Sequence, residues 1–194
     1  MSPPPSGAGS PAPELLRAVE TGAPEAVDAW FRAEHPEVYR LCFGFLAHAA
    51  DADDVAQEAM LHLLDRLGSR DRAHSYRAWR TTLVLNRCRD RLRRATSRRR
   101  AEEGAAGTRG EVLLPDPHAT AERDEIDRLL AFGLRALPDR EREAFVLRDL
   151  EGLDTAEVAR TLGITEGSVR SLLTLARRRL RELLGARLAP RGET

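Results

Sequence analysis

The chain has 194 residues, with 31 basic and 31 acidic side chains, 42% hydrophobic residues and 5% aromatics. That length holds one ordinary domain or two small ones, and so few aromatics suit small helical cores better than sheets. A net charge of zero excludes no polyanionic partner, because the placement of the charges decides that.

Residues 1–12, Pro, Ser, Gly and Ala with almost nothing to bury, are expected to be a disordered tail. MSPPPSGAGSPAP lacks the positive start and apolar core of a signal peptide. No apolar run is long enough to span a membrane. A cytoplasmic protein without membrane insertion is expected. From Glu14 to His48 apolar residues recur at helical spacing, Val27, Trp30 and Phe31, then Val38, Leu41, Cys42 and Phe45, with Pro36 expected to break or kink the run. Asp51 and its acidic neighbours are a ready helix start, leading into the stripe Val55, Ala59, Met60, Leu63, Leu64 and Leu67. A polar loop, Gly68 to His74, precedes a third helix, Tyr76 to Arg94, buried through Trp79, Leu83, Val84, Cys88 and Leu92. At this spacing Trp79 reads as core rather than as a platform for a base. Residues 13–95 make a first helical domain.

Residues 96–119 read as a flexible tether. Residues 120–185 make a second helical domain, and 186–194 a frayed tail. No strand pattern occurs, so the fold is all-α, with two small helical domains joined by the flexible linker. Cys42 and Cys88 have no Cys or His partner at metal-ligand spacing and lie on apolar stretches, so they read as buried and reduced.

Residues 154–180, DTAEVARTLGITEGSVRSLLTLARRRL, carry the pattern of a helix-turn-helix. Thr155 is placed to cap the first helix, Ala159 is small where two helices cross, Gly163 makes the turn and Ile164 plugs the angle. Thr165 caps a second helix anchored by Val169, Leu172, Leu173, Ala176 and Leu180. Such a unit places the start of its second helix in a major groove. Ser168, Arg170, Ser171 and Thr174 would then reach base edges, and Arg177, Arg178, Arg179 and Arg181 would lie against phosphates. Every cation apart from His is Arg, whose planar fork suits phosphate and guanine.

The first domain narrows the reading. Residues 52–60, ADDVAQEAM, then Arg77-Ala-Trp-Arg and residues 86–94, NRCRDRLRR, resemble region two of bacterial sigma factors. Residues 137–152, LPDREREAFVLRDLEG, resemble the opening of region four, and the helix-turn-helix follows at the family's spacing. The compact two-domain form is similar to the extracytoplasmic-function group of the sigma-70 family. The resemblance implies a subunit that binds core RNA polymerase and recognises minus-ten and minus-thirty-five promoter DNA. It implies that Asp53, Asp54, Gln57 and Glu58 dock on the polymerase clamp. Ser69, Arg70, Arg72 and His74 of the loop, with Arg80, Asn86, Arg87, Arg91 and Arg94 of the helix, would read the minus-ten element and hold an unstacked base. Arg80, Arg87, Arg91 and Arg94 also share one side of the helix by spacing. An anti-sigma protein is the further partner implied. Two departures stand out. Leu172, Thr174 and Leu175 occupy positions commonly basic or polar, Leu175 being expected on the exposed side, and Arg80 stands where an aliphatic residue is usual.

Three rivals exist. A stand-alone helix-turn-helix regulator explains only the second domain. A decoy that binds polymerase or an inhibitor, without productive promoter use, is kept open by Leu172 and Leu175. An enzyme acting on nucleic acid needs clustered carboxylates or an activated nucleophile, and the five His residues are scattered. No catalytic residues, metal, cofactor or small-molecule substrate are therefore expected.

Overall fold

The computed structural model describes residues 10–103 and 121–188, with eight α-helices, one π-helical turn and no strand among the described residues. Most of the expected N-terminal tail, the tether from residue 104 and the last six residues lie outside them.

The first domain contains α1 (Pro13–Glu20), α2 (Pro24–Leu46), α3 (Ala49–Arg66) and α4 (Tyr76–Glu103). Proline opens both α1 and α2, where its fixed φ suits the first turn and its missing N–H costs nothing. Of the break or kink expected at Pro36, the break does not occur: α2 runs through it as one helix. Pro36 lies on the exposed side, and the buried stripe Trp30, Glu34, Val38, Leu41, Cys42 and Phe45 holds the helix on both sides of it. α2 closes on Ala47, whose φ of 52° is left-handed. α3 starts two residues before Asp51, with His48 as its cap: His48 Nδ1 accepts the Asp51 N–H at 3.0 Å. α4 runs through residues 96–103, which the sequence pattern assigned to the tether.

The second domain contains α5 (Ala121–Ala136), α6 (Asp139–Phe145), the π-helical turn Val146–Leu150, α7 (Thr155–Leu162) and α8 (Glu166–Leu188). The turn is closed by the Glu151 N–H donating to Val146 O at 2.9 Å, five residues back. Asp154, not Thr155, caps α7. Its carboxylate accepts the Glu157 N–H at 2.7 Å while the Glu157 carboxylate accepts the Asp154 N–H at 3.0 Å, a reciprocal capping box. Gly163 ends α7 at a φ of 67°, as the turn requires. Gly133 brings α5 against α8: a Cβ there would meet Leu180 Cδ2 at 2.9 Å.

Trp30, Leu41, Met60, Leu63 and Val84 fill the first core, and Leu134, Leu147, Val158, Val169 and Ala176 the second, all buried. Fully burying one large aliphatic side chain contributes roughly 1.5–3 kcal/mol. The two cores are continuous, forming one apolar cluster. Cys42 and Cys88 are buried free thiols within it, and burial together with the neighbouring Cys42 pushes the Cys88 thiol up.

Candidate nucleic-acid interface

Asp53, Asp54, Gln57 and Glu58 are all exposed on α3, on the side opposite the stripe Ala52, Val55, Ala56, Ala59 and Met60. The Gln57 amide donates to Asp53 Oδ2 at 3.0 Å, one turn apart. Leu61 continues this surface and is 67% exposed, an apolar residue at the edge of an acidic face. Residue patterning alone had not singled it out, although its place one turn after Gln57 and Glu58 is visible in the sequence. A groove of about 320 Å³ separates these residues from α4, lined by Asp54, Glu58 and Leu61 on one wall and Arg87, Asp90, Arg91 and Arg94 on the other.

The basic stripe of α4 is real over its middle turns. Asn86 and Arg94 are exposed, and Arg87 is half-buried. Neither Arg87 nor Arg94 is ion-paired to another described side chain. Arg91 is held by the Asp51 carboxylate across the groove, an attachment that raises its already high pKa. Asp90 is held down by its hydrogen bond from Arg93.

Arg80 is the correction. It is 2% exposed, and its guanidinium donates to Glu34 Oε2 at 2.9 Å and to Glu151 Oε2 at 3.4 Å. Burial pulls the Arg80 pKa down, but Glu34, and then Glu151, more than offset it. Glu151 moves the other way: burial raises its carboxyl, and attraction to Arg80 only partly offsets that. The two directions fit the geometry, since Glu34 holds the short bond and Glu151 is the weakly held member. Arg80 does lie on the stripe, but α2 and the second domain cover that end of it. In this arrangement it cannot touch DNA.

In the loop, Ser69, Arg72 and His74 are exposed and Arg70 is half-buried. Ser69 Oγ donates to Arg66 O at 3.2 Å, and Arg72 donates to Glu20 of α1 at 2.8 Å. The Arg70 guanidinium lies 5.9 Å from the Tyr76 ring centroid, within cation–π range. His74 faces the Asp71 carboxylate at 3.8 Å. The Trp30 indole N–H donates to the Tyr76 hydroxyl at 3.0 Å, securing the start of α4. Trp79 is partly buried against the core, with one side on a cleft of about 590 Å³ that also touches His74, Asn86, Glu157 and Arg160.

On α8, Ser168, Arg170, Ser171, Thr174, Arg177, Arg178 and Arg181 are all exposed. Thr165 Oγ1 accepts the Ser168 N–H at 3.1 Å, the expected cap. Ser171 and Thr174 donate to the carbonyls of Gly167 and Arg170 at 3.1 and 2.9 Å, leaving their oxygens able to accept. Arg177 makes a two-pronged pair with Asp149 at 2.9 and 2.6 Å, and Arg179 donates to Glu141 at 3.0 Å. Leu172 packs against the core as expected of an anchor, and Leu175 is half-buried rather than fully exposed, so the apolar surface is smaller than the pattern suggested.

Sequence reasoning missed the acids that meet these arginines from afar: Glu34, Glu151 and Glu143. The last binds Arg89 through two bonds of 2.7 and 2.8 Å. A signal for Glu34 exists, because it sits one turn after Trp30 and one before Val38, on the buried stripe.

An exposed acidic helix face beside an arginine stripe, with a capped helix-turn-helix, defines a two-module helical DNA-binding protein. Two family patterns match: "Sigma-70 region 2" over residues 30–98 and "Sigma-70, region 4" over residues 128–180. The chain is 35% identical over 175 residues to the ECF RNA polymerase sigma factor SigM of Mycobacterium tuberculosis, covering 89% of this chain and 84% of that protein. It is 25% identical to the ECF RNA polymerase sigma factor SigW of Bacillus subtilis, covering 76% and 83%. The fold is similar to that of CnrH in complex with the cytosolic domain of CnrY, with a TM-score of 0.63, 24% identity and coverage of 89% and 96%. It is also similar to the sigma factor RpoE bound to the anti-sigma factor NepR from Bartonella quintana, with a TM-score of 0.64, 19% identity and coverage of 81% and 96%. The chain belongs to the extracytoplasmic-function group of sigma-70 RNA polymerase sigma factors.

Proposed function

We propose that this chain docks on the clamp of core RNA polymerase through Asp53, Asp54, Gln57 and Glu58, with Leu61 added to that surface. The loop residues Ser69, Arg70, Arg72 and His74, with Asn86, Arg87, Arg91 and Arg94, hold the opened minus-ten element. Ser168, Arg170, Ser171 and Thr174 read the minus-thirty-five duplex, and Arg177, Arg178 and Arg181 grip its phosphates. Residues 13–95 and 120–185 are the two functional units. The subunit acts in the cytoplasm by binding alone and performs no catalysis, and an anti-sigma protein of the kind bound to RpoE is its regulator.

The observation that carries this reading is the pairing of opposite surfaces across one groove, acids and Leu61 on α3 facing Arg87 and Arg94 on α4. A clamp helix and a DNA strand would thus be held side by side. Two weak contacts in one chain also reinforce each other, because the second binding event is intramolecular. The test is run-off transcription from genomic fragments with purified core polymerase. Defined start sites that vanish with Arg87→Ala/Arg94→Ala support the reading. A chain that shifts duplex DNA alone and yields no start site with polymerase is instead a stand-alone regulator.

A further inference from the structure

Trp79, Leu83 and Asn86 recur at helical spacing along α4 and form one wall of the cleft of about 590 Å³. That volume falls within the roughly 300–1,000 Å³ of small-molecule sites. The other wall is α7, through Glu157 and Arg160, and Arg66, Asp71 and His74 also border the cleft. Trp79 and Leu83 supply apolar surface. The Trp79 ring packs on the core, 5.6 Å from the Tyr76 ring, while its other side borders the cleft.

The polar groups around this surface divide into engaged and unengaged. Asp71 accepts the Ala73 N–H at 2.9 Å and faces His74 at 3.8 Å, and Glu157 accepts the Asp154 N–H within the capping box. The side chains of Arg66, Arg160 and Asn86 and the Trp79 indole N–H have no hydrogen-bond or ion-pair partner among the described residues. One such group on a surface is ordinary. Here two cations and an amide border one cavity beside an aromatic plane. An aromatic face stacks any base, an Asn amide pairs a donor and an acceptor with N6 and N7 of adenine, and the Arg fork fits phosphate. Trp79 and Asn86 stand two turns apart, about 10 Å along α4, the reach of a purine nucleoside.

We propose that this cleft binds a free purine nucleotide, adenine preferred. The base stacks on Trp79, its N6 and N7 edge meets Asn86, and the phosphate is held by Arg160 from the opposite wall. That wall separates a free nucleotide from a promoter strand, because the minus-ten residues proposed above lie on the loop and α4, and none on α7. Asn86 and His74 would serve both, so a bound nucleotide and the minus-ten strand exclude each other. This consequence, though not the site itself, rests on the function proposed above.

The experiment is a fluorescence titration of the full chain with AMP. The chain has two tryptophans, and Trp30 is fully buried, so quenching reports Trp79. AMP should quench saturably, GMP more weakly and inorganic phosphate not at all. Arg160→Ala, a change at an exposed side chain, should weaken AMP binding roughly tenfold or more, the worth of one charge-assisted hydrogen bond, with Tm unchanged. Asn86→Ala should abolish the preference for AMP over GMP. Absence of saturable quenching overturns the proposal. So does an Arg160→Ala chain that binds AMP like wild type, or an Asn86→Ala chain that keeps the preference. An oligodeoxyadenylate separates the two sources of a base: quenching by it and none by AMP makes the cleft a strand path and overturns the nucleotide site. Failure of the promoter reading shows separately, as no start site with core polymerase whether or not AMP binds.

Discussion

Replacing Arg80 with Met tests the buried centre directly. Met fills much of the volume but leaves the carboxylates of Glu34 and Glu151 without their cation; both residues are under 7% exposed. Removing one member of a buried ion pair costs about 3–5 kcal/mol, because the remaining charge is stranded. Two details place this case at the lower end. Glu151 is held only at 3.4 Å, and Arg80 Nε itself finds no acceptor. About 3 kcal/mol is expected, which at a slope of roughly 1–3 kcal/mol per molar urea lowers the unfolding midpoint by about 1–3 M. The assay is urea denaturation at pH 7 followed by far-UV circular dichroism. The triple variant Arg80→Met/Glu34→Leu/Glu151→Leu removes all three charges together and should recover most of the loss, because apolar replacements of a whole buried ion cluster are often neutral or stabilising. A single variant costing under about 1 kcal/mol, the value of an exposed pair, refutes the reasoning. A triple variant as weak as the single one refutes it too.

The capping box predicts that Asp154→Ala costs about 1 kcal/mol, read as a fall in Tm of about 2–4 °C, whereas Thr155→Ala leaves Tm nearly unchanged. In polymerase-bound form, Arg87→Ala or Arg94→Ala should each reduce the slope of log affinity against log salt by up to about 0.7, the value per phosphate of a single strand; Arg80→Met should leave that slope unchanged, as fluorescence anisotropy across a salt series will show. Burial raises the Cys88 thiol above its ordinary 9.0, so its folded state favours the neutral form. That contribution is complete below pH 9.0 and is lost as pH rises through the folded-state value. Urea midpoints measured upward from pH 9 should therefore fall more steeply for wild type than for Cys88→Ala, and equal slopes would remove Cys88 from the account.

The helical periodicity of α3 and α8 was legible because each turns one face to a single core, so a period of 3.6 residues reports burial directly. The helix-turn-helix was equally plain, since its cap, turn glycine and plug are local chemistry. Arg80 was misread for a physical reason. Its spacing to Arg87 puts both on one side of α4, yet what covers the Arg80 end of that side comes from residues 46 and 71 positions away. Periodicity gives a direction on the helix but not what lies there. Of the two outcomes expected at Pro36, the break is absent because tertiary packing along the buried side of α2 outweighs one lost backbone hydrogen bond. Nothing local to Glu143 or Glu151 marks either as a partner of a distant arginine, and only the meeting of the two domains gives them theirs.

The π-helical turn at Val146–Leu150 carries one residue more than an α-helical path of the same rise would need. Each residue of an α-helix advances the side chain by about 100°, so that extra residue acts as a phase shift placed between α6 and everything that follows it. Val146 and Glu151 can thereby face the first domain together, bonded to one another across the turn. A relative lacking one residue here would keep every side chain in order yet point its counterpart of Glu151 about a quarter-turn away. The length of this one turn, rather than the identity of any charged residue, would then decide which members of the family can fasten their two halves together.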